Sequence, residues 1–337
     1  MYSGGHTLKT FGATILGCAG PKLTSEERRF FHEANPFGFI LFSRNIDHAD
    51  QIRALCAELR ACVEHDAPIL IDQEGGRVQR LRPPLATEWL PPLDHIQQAG
   101  DAAERAMYLR SLLQAVELTE LGIDSNCAPL VDVATKATHP FLQNRCYGYS
   151  PEVVTKLGRA VANGLMDGGV LPVLKHIPGH GRAVQDSHLE LPRVTASALD
   201  LQIDFAPFRQ LNDLPMGMTA HLVYEALDPQ PATISTKMMR LIRDDIGFDG
   251  LVMTDDISMQ ALDGDMTQRS AKSIAAGCDV ILHCNGDMSE MQDVVAASGL
   301  MTAQAQTRAL RVLDARRPAV AVDIAGLKAE LEALASG

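Results

Sequence analysis

Short apolar runs recur along the chain, and nearly every one is followed by a stretch whose apolar residues return at helical spacing. Residues 11–17, 37–42, 68–71, 123–127, 170–174, 216–220, 251–253 and 280–282 read as strands. Between them the spacing predicts helices over 47–64, 102–121, 151–167, 199–211, 236–246 and 266–276. An earlier helix is announced by Thr24-Ser25-Glu26-Glu27, a capping residue followed by acids, and the tail over 324–335 reads as a short amphipathic helix on the outside. The strands are apolar throughout rather than alternating, so both faces are covered, as in a parallel sheet flanked by helices. Eight such strands predict an α/β fold closed into a single (β/α)8 TIM-type barrel. An open doubly wound sheet would need fewer strands and would gather its ligands at one switch point.

No repeat, low-complexity tract or linker interrupts the pattern, so one barrel domain is expected over 1–337. The net charge of −12 leaves no basic stripe, which argues against nucleic acid and against an anionic membrane surface as partners. The 7 cysteines are scattered, mostly within apolar runs, and form no C-x-x-C pair, as expected of buried small hydrophobes in a reducing compartment. Ile15-Leu16-Gly17-Cys18 has the look of a lipoprotein cleavage site, but the apolar run before it is short and only Lys9 precedes it as a clear positive charge. A first strand is the expected reading. No run approaches the roughly 20 apolar residues that span a bilayer, and a cytoplasmic monomer is expected.

In a barrel of this kind the chemistry sits at the carboxyl ends of the strands. Here those ends are followed by Ser43-Arg44-Asn45, by Asp72-Gln73-Glu74-Gly75-Gly76-Arg77, by Asp132 a few residues on, by Lys175-His176, by His221, by Thr254-Asp255-Asp256 and by His283. Together they describe a polar cup suited to hydroxyl groups. The loop after Lys175-His176 adds Gly179, His180, Gly181, Asp186 and His188.

Asp255 leaves a buried strand and has the setting of an attacking carboxylate, while its neighbour Asp256 is placed to cap the segment starting at Ile257. Asp186, two residues from His188, is able to hold an imidazole nitrogen and fix its tautomer, which makes His188 a general acid and base. The competing reading groups His176, His180, His188 and Asp186 as metal ligands, but the Lys175 charge beside them would repel a cation, and no metal or cofactor is expected. Lys175 alone would suit a Schiff base. Beside Asp72, Arg80 and Arg145 it reads as one of several donors to sugar hydroxyls, with Asp72 accepting from a diol. Gly75-Gly76 and Gly179-x-Gly181 lack the spacing of phosphate loops and read as turns, and Trp89 reads as a packed loop residue.

The segments from Ile71 to Arg80, from Lys175 to Gly181 with Asp186-Ser187-His188, and from Thr254 to Met259 together resemble glycoside hydrolase family 3, in its single-domain bacterial branch of β-N-acetylglucosaminidases of cell-wall recycling. The resemblance implies a TIM barrel and a retaining exo-enzyme that removes N-acetylglucosamine from amino-sugar disaccharides or 1,6-anhydromuramyl muropeptides. By position it implies Asp255 as nucleophile, His188 with Asp186 as acid/base dyad, and Asp72, Arg80, Arg145, Lys175 and His176 as the sugar-binding set. Ile177, where an aromatic is commoner, and Cys146-Tyr147 after Arg145 depart from the family pattern. A phosphorylase using the same nucleophile, a Lys175 lyase and a non-catalytic sugar sensor are the alternatives.

Overall fold

The computed structural model describes residues 10–184 and 191–334. Its main sheet has eight strands: β1 (Gly12–Gly17), β2 (Pro36–Leu41), β3 (Ile69–Ile71), β4 (Ser125–Asn126), β5 (Leu171–Ile177), β6 (Met216–Thr219), β7 (Leu251–Met253) and β8 (Ile281–His283). They lie in the order β7-β6-β5-β4-β3-β2-β1-β8, every named pair parallel. A parallel bridge between Met253 and Val280 and the Thr254 N–H donating to the Val280 carbonyl at 3.2 Å bring the two ends together. The fold is therefore the expected (β/α)8 barrel.

All six residues of β1 and all six of β2 are buried, as strands covered on both faces require. The covering helices include α1 (Ser25–Ala34), α2 (Ala49–Ala61), α3 (Ala103–Thr119), α4 (Pro151–Asp167), α5 (Leu201–Gln210), α6 (Thr236–Arg240), α7 (Met266–Ala276), α8 (Met288–Ser298), α9 (Ala303–Asp314) and α10 (Ile324–Leu334). Thr24 caps α1 in a full capping box: its hydroxyl accepts from the Glu27 N–H at 3.0 Å, and the Glu27 carboxylate accepts from the Thr24 N–H at 2.8 Å. The tail helix α10 lies against α3, where Arg105 grips Glu330 through bonds of 2.7 and 2.9 Å.

Several elements differ from the sequence reading. β5 runs on through Lys175 and His176 to Ile177, because the backbone after β4 travels alongside it: the Lys175 N–H donates to the Pro129 carbonyl at 3.0 Å, and its carbonyl accepts from the Val131 N–H at 2.8 Å. The predicted helix over 236–246 keeps helical spacing only to Arg240 and then widens into a π turn over Leu241–Asp245. Helices α8 and α9 follow the last strand, where no helix was read. Each begins at a capping residue, Asp287 and Thr302, and α9 buries Ala305, Ala309 and Val312 together with Arg308. The seven cysteines are unpaired and buried. Among the described residues no helix is long and apolar enough to cross a membrane.

Candidate active site

Side chains alternate along a strand, so the residue two beyond an inward one also points inward. Ile40, Leu70, Val173, Met253 and Leu282 pack together in the barrel interior. Two residues further along each strand come Phe42, Asp72, Lys175, Asp255 and Cys284, and all five line a cavity of about 420 Å³ at the carboxyl ends of the strands. Arg80, Arg145, His176, His180 and Asp256 share its wall. The cavity is of a size to hold a small ligand.

On one side the charges interlock. Arg80 Nη2 donates to Asp72 Oδ2 at 2.8 Å, and Lys175 Nζ stands 3.3 Å from Asp72 Oδ1. The same ammonium is 2.6 Å from Glu74 Oε1, and Arg145 grips Glu74 with two parallel bonds of 2.8 and 2.9 Å. Burial opposes the charge of each carboxylate, but the surrounding cations outweigh it. Lys175, Arg80 and Arg145 hold Asp72 far below the ordinary carboxylate range, and Arg145 and Lys175 bring Glu74 from 4.5 down to about 2. Burial likewise opposes the Lys175 ammonium, and Glu74 and Asp72 overcome it, so its pKa is raised. A Schiff-base lysine needs the opposite shift, which sets this site apart from the lyase alternative.

Glu74 is held by its backbone as well. Arg110, fully buried, donates from Nη2 to the carbonyls of Glu74 and Leu90, both at 2.6 Å. Gly75 has φ of 112°, and a Cβ there would collide with the same Nη2, so the close approach of Arg110 requires glycine.

Across the cavity Asp255 accepts the Asp256 N–H on Oδ1 at 2.8 Å. Burial would raise its pKa, but His176, His221, that amide and Lys175 together lower it, so the carboxylate is ionised at neutral pH. Asp256 is tied down by Ser258, whose hydroxyl donates to it at 2.7 Å and whose amide donates at 3.2 Å. It braces a turn over 257–261 instead of capping a helix, the next helix being α7. His176 is oriented by Asp132, a wholly buried carboxylate 2.8 Å from its Nδ1, which also accepts the His180 N–H at 2.6 Å. Burial and His176 lower the His180 ring to about 4, so it is uncharged at neutral pH.

The structure thus gathers Asp255, Asp72, Arg80, Arg145, Lys175 and His176 around one cavity, while Asp186 and His188 lie outside the described residues. Among the described residues no group of three or more His, Cys, Asp or Glu is placed to hold a metal ion. Two partnerships were not read from the sequence: Glu74 as the shared counter-ion of Arg145 and Lys175, and Asp132 as the anchor of His176. The signal for Glu74 was present, an acid inside a strand-exit run followed by Gly75-Gly76. For Asp132 there was none, because it meets His176 only through the fold. Trp89 is packed, donating from Nε1 to Glu117 at 3.1 Å.

The depressed carboxylates carry a pH consequence. Glu74 and Asp72 bind protons less readily folded than unfolded, so the stability they contribute is complete above the ordinary carboxylate pKa. It is lost as pH falls from about 4.5 through about 2, the span of the Glu74 shift. Urea midpoints are expected to hold steady from pH 7 to 5 and to fall steeply below, with a shallower fall in Glu74→Gln.

The profile of the glycosyl hydrolase family 3 N-terminal domain matches residues 9–315. A β-hexosaminidase of Alkalilimnicola ehrlichii is 38% identical over 282 residues, 81% of each chain. One from Pseudomonas aeruginosa is 36% identical over 279 residues, 81% of this chain and 82% of that one. Among solved structures, NagZ from Neisseria gonorrhoeae in complex with N-trifluoroacetyl-D-glucosamine superposes with a TM-score of 0.87 at 30% identity, covering 97% of this chain and 99% of that one. A family 3 β-N-acetylglucosaminidase from a Paenibacillus gives a TM-score of 0.84 at 28% identity, covering 96% of this chain and 67% of that one. With the profile spanning the whole barrel, the chain is a glycoside hydrolase and belongs to glycosyl hydrolase family 3.

Proposed function

We propose that the chain is a retaining exo-β-N-acetylglucosaminidase, acting on N-acetylglucosamine linked to 1,6-anhydro-N-acetylmuramic acid, with or without its peptide. The observation that carries the reading is the shared cavity: an ionised Asp255 faces the same space as the Asp72, Arg80 and Lys175 cluster. The relatives named β-hexosaminidase, and the NagZ structure holding a modified glucosamine, support the amino-sugar class.

In this reading Asp255 attacks the anomeric carbon while His188 protonates the leaving oxygen. The bond to the leaving group breaks as the glycosyl ester forms, and water, deprotonated by His188, then releases the sugar with its configuration kept. Asp186 would hold the His188 ring. Both roles rest on the Asp186-x-His188 spacing and on the family resemblance. A leaving group bearing a lactyl or peptide carboxylate would be repelled by a second acid, whereas imidazole tolerates it. Asp72 would accept from two neighbouring hydroxyls, with Arg80, Arg145, Lys175 and His176 as donors or walls around the ring.

A fluorinated N-acetylglucosamine analogue with a good leaving group tests the reading, because it forms the glycosyl ester and hydrolyses it slowly. Mass spectrometry of the digested protein is expected to find the label on Asp255. A label elsewhere, or none despite turnover of an aryl N-acetyl-β-glucosaminide, would overturn it. Release of free sugar at an undiminished rate without phosphate separates a hydrolase from a phosphorylase.

A further inference from the structure

Thr219, His221 and Thr233, none of which lines the cavity, form a run of hydrogen bonds that the reaction as drawn does not use. Thr219, the last residue of β6, and His221 fall on the same face of the chain, and both are fully buried. There they meet Thr233, in the turn Ala232–Ile234. Its Oγ1 is 2.8 Å from Thr219 Oγ1 and 2.7 Å from His221 Nδ1. The other ring nitrogen, Nε2, is 3.1 Å from the carbonyl oxygen of Asp256.

The direction of these bonds follows from their ends. A carbonyl only accepts, so Nε2 carries a proton. Burial lowers the pKa of the ring even with Asp255 close by, so the ring is neutral and Nδ1 is left as an acceptor. Thr233 then donates to Nδ1, the nearer of its two acceptors, with the Ala220 carbonyl at 3.2 Å as the other, and accepts from Thr219. The donors run one way, from Thr219 through Thr233 and His221 to the Asp256 carbonyl.

Residue 256 is where this run meets the proposed nucleophile. Its N–H donates to Asp255 Oδ1 at 2.8 Å, and its carboxylate is held by Ser258 and by the Cys284 N–H, the latter at 3.2 Å. Its remaining polar group, the carbonyl, accepts from His221 Nε2 and from the Met259 N–H, both at 3.1 Å, so His221 is one of two donors that hold it. We infer that His221 is a positioning residue for Asp255: by holding the Asp256 carbonyl it aims the Asp256 N–H at Oδ1, leaving Oδ2 as the oxygen that attacks. His221 is not part of the cavity wall, and besides its bond to residue 256 it lies near enough to Asp255 to favour the carboxylate's charge. The inference rests on Asp255 being the nucleophile.

The test compares His221→Leu, His221→Gln and Thr233→Val with the wild type in three measurements. These are kcat and KM on an aryl N-acetyl-β-glucosaminide, the rate of labelling by the fluorinated analogue, and the Kd for N-acetylglucosamine. His221→Leu is expected to lower kcat and labelling together by about 10–100-fold, the scale of a misplaced reacting group, with Kd within about twofold of wild type. The glutamine amide reaches the same carbonyl, so His221→Gln is expected to recover most of the loss. Thr233→Val, which removes the partner of Nδ1, is expected to fall between. Labelling of Asp255 at the wild-type rate in His221→Leu overturns the positioning role alone. So does a glutamine variant as impaired as the leucine one with Kd weakened in step, since that pattern is loss of packing. A label on another residue in the wild type overturns the nucleophile reading first. Should His221→Leu fail to fold, wild-type kcat in Thr233→Val overturns the inference by itself.

Discussion

Replacing Asp255 by alanine is expected to lower turnover of an aryl N-acetyl-β-glucosaminide on the order of 10⁴-fold or more while leaving the fold intact. The size follows from the lack of a substitute. Asp72 is neutralised by Arg80 and Lys175, and Asp256 is engaged by Ser258 and the Cys284 amide. Neither is free to attack a carbon held over the cavity. The fold survives because Asp255 contributes one bond to its neighbour's amide, and burial already opposes its charge. Alanine also leaves a space for a small external anion. Added azide is therefore expected to restore part of the rate and to give the α-glycosyl azide, since it would enter from the face that the carboxylate has vacated. Steady-state kinetics, a urea midpoint and product stereochemistry check the three parts. A variant keeping a tenth of the wild-type rate would remove Asp255 from its role, and a β-azide would show that the face is wrong.

The barrel was legible because its strands carry the pattern apolar, spacer, polar at their ends. Leu70 and Asp72, Val173 and Lys175, Met253 and Asp255 each place a core residue and a cavity residue on one inward line. That spacing is a property of the strand itself, so it can be read from a single sequence. β7 and α7 keep the predicted bounds for a related reason, being closed by local signals: Gly250 before the strand, the Asp265 cap and the left-handed Gly277 after the helix. Where the outcome depended on a distant partner, the reading fell short. Lys175 and His176 looked like the end of a strand because they are polar. They remain within it because backbone from 129 to 131 pairs with them and because Glu74 and Asp132 satisfy their side chains. The helix over 241–245 widens into a π turn although its residues suit a helix, and nothing in a propensity registers that change.

Glu74→Ala is expected to cost about 3–5 kcal/mol of stability, the range for removing one partner of a buried ion pair. The loss arises less from the broken bonds than from the charges left behind. Arg145 would keep a buried guanidinium without its two-bond partner, and Lys175, 2% exposed, would be left to Asp72 alone at 3.3 Å. Both side chains would then swing toward whatever acceptor or water the cavity offers, so KM for the aryl glycoside is expected to rise more than kcat falls. The backbone of residue 74 provides a control within the same molecule. Arg110 holds the Glu74 carbonyl and Gly75 is shaped to admit it, so the loop remains anchored when the side chain is cut back. Glu74→Gln keeps an oxygen for one of the arginine bonds while removing the charge, and a smaller loss, about half, is expected from it. Urea midpoints with KM for both variants check this. An alanine variant as stable as the wild type, with KM unchanged, would mean that Asp72 alone suffices to balance Lys175 and Arg145. The cluster would then have to be redrawn around Asp72, with Glu74 reduced to a group that fills space beneath it.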